Sequence, residues 1–91
     1  MSLAGLFKAS LNMMLLEAAR ARMESVEITA ADLRNRLPTL RPEMGDQIPV
    51  CYQVMWATLS LDVGDTILED PPAGQAASLR IRYVLPRPEW H

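Results

Sequence analysis

The sequence predicts an α+β domain: three helices closed by a two-stranded antiparallel β-hairpin. Three observations carry that expectation. Residues 3–23 contain no proline and are dominated by Ala, Leu, Met, Glu and Arg, the better helix formers. Thr29, with Asp32 three residues on, marks a capped helix start. Between Leu79 and Leu85, Leu79, Ile81, Tyr83 and Leu85 fall on one face and Arg80 and Arg82 on the other, the alternation of a half-buried strand.

The chain of 91 residues is read as one domain, 1–91. A chain this short buries only roughly 60% of the surface that its unfolded form exposes, so its core is thin and a second copy or a partner would add to it. Formal net charge is −2, from nine basic residues, of which only Lys8 is lysine, and eleven acidic ones. Neutralising phosphates supplies most of the affinity of nucleic-acid-binding domains, so such domains usually carry a basic excess. The overall balance weighs against strong non-specific DNA binding and leaves a local basic patch as the only footprint to look for. Cys51 is the sole cysteine, which rules out an internal disulfide and predicts a reducing, cytoplasmic setting. One Cys and the terminal His91 assemble no metal site, and no cofactor is expected. The apolar N-terminal stretch is broken by Asn12, Glu17 and Arg20, which suits neither a signal peptide nor a membrane span.

In the first helix, 3–23, Phe7, Leu11, Met14, Leu15 and Ala18 form the expected core stripe. A second apolar row follows at Leu6, Ala9, Met13 and Leu16. It is either internal or a contact with the same helix of a second copy, where methionines fill an imperfect seam. Val26 and Ile28 alternate with charge, as in a very short first strand. Thr29 caps a short helix, 30–37, whose Leu33 pairs with Ile28 as a hydrophobic staple. Arg34 and Arg36 point away from that core and, with Arg41 in the following loop, form the most compact basic cluster. A third helix, 47–61, tolerates Pro49 in its first turn, has Val50, Val54, Ala57 and Leu61 as its expected inner stripe, and ends at Asp62, Gly64 and Asp65. The hairpin, 66–85, has a turn-rich tip from Pro71 to Ala77, and the tail, 86–91, holds Trp90.

Helix order, the capped second helix, Gly64 and the closing hairpin together resemble the winged helix-turn-helix superfamily. The likeness is one of pattern over nearly the whole chain. In DNA-binding members it implies that the third helix enters the major groove while the wing lies along a minor groove or the backbone. The candidate DNA-binding residues are then Arg34, Arg36, Arg41, Gln47, Gln53, Arg80 and Arg82. The third helix departs from that pattern. Base edges are read best by Arg, Lys, Asn and Gln, and from Ile48 to Leu61 only Gln53 belongs to that set.

Tyr52, Met55, Trp56 and Leu59 give the same helix an apolar, aromatic side of the kind enriched at protein interfaces. Two roles therefore stay open. One is DNA-associated regulation, with duplex DNA as partner and a homodimer through the N-terminal helix. The other is a protein-interaction module, with Leu6, Met13, Leu16, Tyr52, Trp56 and Trp90 as candidate interface residues. No phosphate-binding glycine loop, Ser-His-Asp set or Cys-His set is present, so no catalytic residue is expected.

Overall fold

Helix α1 spans Leu3–Arg20 and buries Phe7, Leu11, Leu15 and Ala18, with Met14 partly covered beside them. It ends at Arg20 rather than at Met23. The amide of Met23 donates to the Ala18 carbonyl and that of Arg22 to Ala19, while Arg22 adopts φ 63°, the bond pattern and left-handed residue of a Schellman stop. The structure is a computed structural model and describes residues 3–36, 47–71, 78–85 and 87. Leu37, Arg41, the hairpin tip and Trp90 lie outside the described residues.

Strand β1, Ser25–Thr29, leads directly into α2, Ala30–Asn35. The expected cap forms in full: the Asp32 amide donates to Thr29 Oγ1 at 3.0 Å and the Thr29 amide to Asp32 Oδ2 at 3.1 Å. Both staple residues, Ile28 and Leu33, are buried. Helix α3 runs Ile48–Thr58, with Pro49 in its first turn, and buries Cys51, Val54 and Met55. This corrects the expected stripe. Val50 is only partly covered, Ala57 is exposed, and Leu61 lies beyond the helix and is 73% exposed. Nearly every side of α3 is apolar, so its sequence does not fix which side turns inward, and its neighbours decide.

Strands β2, Thr66–Glu69, and β3, Arg80–Val84, pair antiparallel as expected. The sheet, however, has three strands rather than two, in the order β1-β3-β2. Val26 and Ile28 of β1 sit opposite Tyr83 and Ile81 of β3, so the short first strand adds to the buried face. That face, with Leu79 and Leu85, closes the core beneath the three helices. The outer face carries Glu27 against Arg82 and, past a bulge at Leu68, Glu69 against Arg80.

The junction of α3 with the sheet is polar and buried. Asp65 and Arg87 pair at 2.6 Å with side chains 0% and 2% exposed. Asp65 Oδ1 also accepts from the Val84 amide, and Oδ2 from the Ser60 amide, each at 2.8 Å. Arg87 donates through Nη2 to the Thr58 carbonyl at 2.9 Å and stacks 5.5 Å over the Tyr83 ring. Tyr83 in turn donates to the Met55 carbonyl at 2.8 Å. Arg87 thereby serves the last carbonyl of α3, where helical carbonyls run out of amide partners and a cation is favoured by the helix dipole, while Tyr83 adds a second donor to the Met55 carbonyl, which also accepts from the Leu59 amide.

Two outcomes follow. Replacing Arg87 by Met leaves the Asp65 carboxylate buried without its counter-charge, which should cost about 3–5 kcal/mol in urea unfolding; a loss under about 1 kcal/mol would show the pair to be incidental. Burial, and secondarily the Asp65 charge, raise the Tyr83 phenol above its ordinary 10.0, with Arg87 partly opposing. The unfolded chain ionises this group near its ordinary value while the native chain resists. The stability linked to it is therefore whole below about pH 10 and lost as pH rises further. Urea midpoints should drop between pH 9 and pH 11 in the parent and drop less in Tyr83→Phe. Equal drops would contradict the assignment.

Candidate functional site

Helix α3 packs against α1 and α2, its Tyr52 turns toward the hairpin, and Pro49, Gln53 and Ala57 are exposed along it. On the α1 side, Ala4, Gly5 and Lys8 face Gln53, Val54 and Ala57 across a groove of about 260 Å³. The groove exists because Ala4, Gly5 and Ala57 are too small to fill the space between the helices. On the hairpin side, the rings of Tyr52 and Trp56 lie 6.2 Å apart at 45°, and the Tyr52 hydroxyl reaches Asp70 Oδ1 at 3.4 Å. Both rings are half-buried against the core. The indole nitrogen of Trp56 is shielded from solvent and has no hydrogen-bond partner among the described residues.

No Lys, Arg, Asp or Glu occurs anywhere in α3, and among the described residues two candidate arginines are paired away from it. Arg36 pairs with Glu17 of α1 at 2.7 Å, and Arg80 with Glu27 of β1 at 3.4 Å on the outer face of the sheet. Both pairs are nearly half exposed, so each contributes at most about 0–1 kcal/mol. Arg82 is exposed on that same outer face, between Glu27 and Thr66, and Arg34 is half-buried on α2.

Gln47 occupies the N-cap position of α3 but is only 3% exposed, so its amide is turned away from solvent where a base edge would have to meet it. Gln53 is exposed, but it lies on the groove beside Lys8. In the second row of α1, Leu6 and Leu16 are half-buried while Ala9 and Met13 are exposed, so the row is not part of the core. Met55 is fully buried, leaving Tyr52 and Trp56 as the aromatic side of α3.

Sequence reasoning missed two features. Asp65 and Arg87 read as a turn acid and a tail cation, with only the prolines flanking Arg87 to hint that the chain is redirected there. The groove had a signal of its own, the small residues Ala4, Gly5 and Ala57 at the start of one helix and the end of another. Among the described residues, no three His, Cys, Asp or Glu side chains cluster as metal ligands, and no helix is long and apolar enough to cross a membrane. Neither known protein families, nor curated proteins, nor solved structures give a match to the chain.

The shielded indole nitrogen yields a test. Trp56→Phe keeps a ring and removes a donor whose burial without a partner costs about 1–3 kcal/mol, so it should be neutral or stabilising. Trp56→Ala should lose about 3–5 kcal/mol if the ring is part of the packing. Thermal unfolding of both variants decides. A Phe variant as unstable as the Ala variant would mean that the nitrogen is paired in solution.

Proposed function

We propose that this chain is a protein-interaction module on a winged-helix framework, with Tyr52 and Trp56 as the anchors that meet its partner. The framework reading is supported by the element order α1-β1-α2-α3-β2-β3 and by an antiparallel sheet that ends in the β2-β3 hairpin. The observation that carries the role is the absence of charge from α3, on which the aromatic pair stands with Tyr52 reaching the hairpin residue Asp70. A phosphate backbone finds no cation on the helix itself. Tyr and Trp bury much area at little entropic cost, which is why they concentrate at the centres of protein interfaces.

DNA-associated regulation is the second reading, favoured by the same framework and by the exposed Arg82. It requires a salt-dependent complex whose slope reports the phosphates neutralised.

One pair of measurements separates the two. Labelled duplex titrated at low salt should give no anisotropy change, and binding that weakens steeply with salt would instead establish the DNA reading. Proteins co-purified from the native host should be lost with Tyr52→Ser and retained with Arg82→Ser. The same proteins recovered with both variants would contradict the module reading.

A further inference from the structure

The α1-α3 groove has its complement on the same chain. Its wall is almost wholly apolar, and Lys8 stands at its rim. Lys8 is exposed, and neither the groove-lining residues nor the whole of α3 supplies a carboxylate to it. Leu61, the most exposed large apolar side chain among the described residues at 73%, opens the turn between α3 and β2, and the exposed Asp62 follows it.

That turn is held firmly. The Val63 amide donates to the Ser60 carbonyl and the Gly64 amide to Leu61, while Asp65 Oδ2 fixes the Ser60 amide. Gly64 takes φ +106°, which a side chain would strain. A leucine fixed outward in water gains nothing from the fold. A groove with room for an aliphatic side chain gains nothing by staying wet.

We propose that the Leu61-Asp62 turn of a second copy seats in this groove, with Leu61 over Val54 and Asp62 against Lys8. Each copy carries both the knob and the hole; a head-to-tail contact would leave one of each open, whereas the proposed two-fold arrangement fills both grooves at once and closes as a dimer. Self-association thus still uses the N-terminal helix, but through its groove side. The outer row of Leu6, Ala9, Met13 and Leu16 has no such complement. The contact uses Gln53, Val54 and Ala57, a different side of α3 from Tyr52 and Trp56, and does not depend on what those residues bind.

Sedimentation equilibrium of the full chain at high micromolar concentration tests this. The parent should be dimeric. Leu61→Ser should weaken the dimer about tenfold or more, because it removes the buried side chain at the centre of the contact. Lys8→Glu and Asp62→Lys should each weaken it, and the two together should restore it by reversing the pair. Met13→Asp should leave it intact. A monomeric parent, a dimer indifferent to Leu61→Ser, or a charge swap that fails to restore would each overturn the proposal, and a dimer lost only with Met13→Asp would assign the contact to the outer row. Should Leu61→Ser disturb the turn, the charge swap still decides, since both of its positions are exposed.

Discussion

The buried ion pair of Asp65 and Arg87 is the constraint on which the rest of the architecture depends. Asp65 stands just before β2 and Arg87 just after β3, so the pair clips together the two ends of the hairpin. Both groups also bond the end of α3, Asp65 through the Ser60 amide and Arg87 through the Thr58 carbonyl. Burying two charges is costly, and further hydrogen bonds to the pair offset that cost. Here the carboxylate gathers two backbone amides besides the guanidinium, and Tyr83 adds its bond to Met55 under the Arg87 stack. With that end pinned and α1 and α2 packed against it, α3 holds one roll about its axis.

The fixed roll distributes chemistry around α3. Cys51, Val54 and Met55 enter the core, so Tyr52 and Trp56 must face the hairpin and Gln53 and Ala57 must border α1. Of the described arginines, Arg36 pairs with α1 and Arg80 with β1, while Arg87 is buried at the end of α3. The helix is thus left uncharged on every side, with an aromatic pair on one side and an apolar groove on another.

Local signals were legible where polar residues mark a boundary. The Thr29-Asp32 cap could be read because both partners lie within one turn, and the α1 stripe because Lys8, Glu17 and Arg20 mark the solvent side. Val26 and Ile28 announced β1, although pairing it with β3 depended on a partner far along the chain. The inward side of α3 was illegible for the opposite reason. With Gln53 and Thr58 as its only polar side chains beyond the tyrosine hydroxyl and indole nitrogen, several stripes satisfy a helical period equally, and packing by α1, α2 and the sheet selects one. The Asp65-Arg87 pair was hidden because its members are distant in sequence and each resembles an ordinary surface charge. Gln47 looked like a reader of bases from its place at the mouth of α3, but that place is inside the fold.

Native-state hydrogen exchange measures the central claim most directly. The amides of Ser60 and Val84 donate to the two oxygens of Asp65. Ser60 lies just outside α3 and would ordinarily exchange through local fraying. If the ion pair locks the helix to the sheet, the Ser60 amide exchanges only with global unfolding, at the rate class of the core amides Ile81 and Tyr83. Exchange of Ser60 as fast as that of the exposed turn residue Asp62 would mean that the junction opens freely and that the roll of α3 is set by something else.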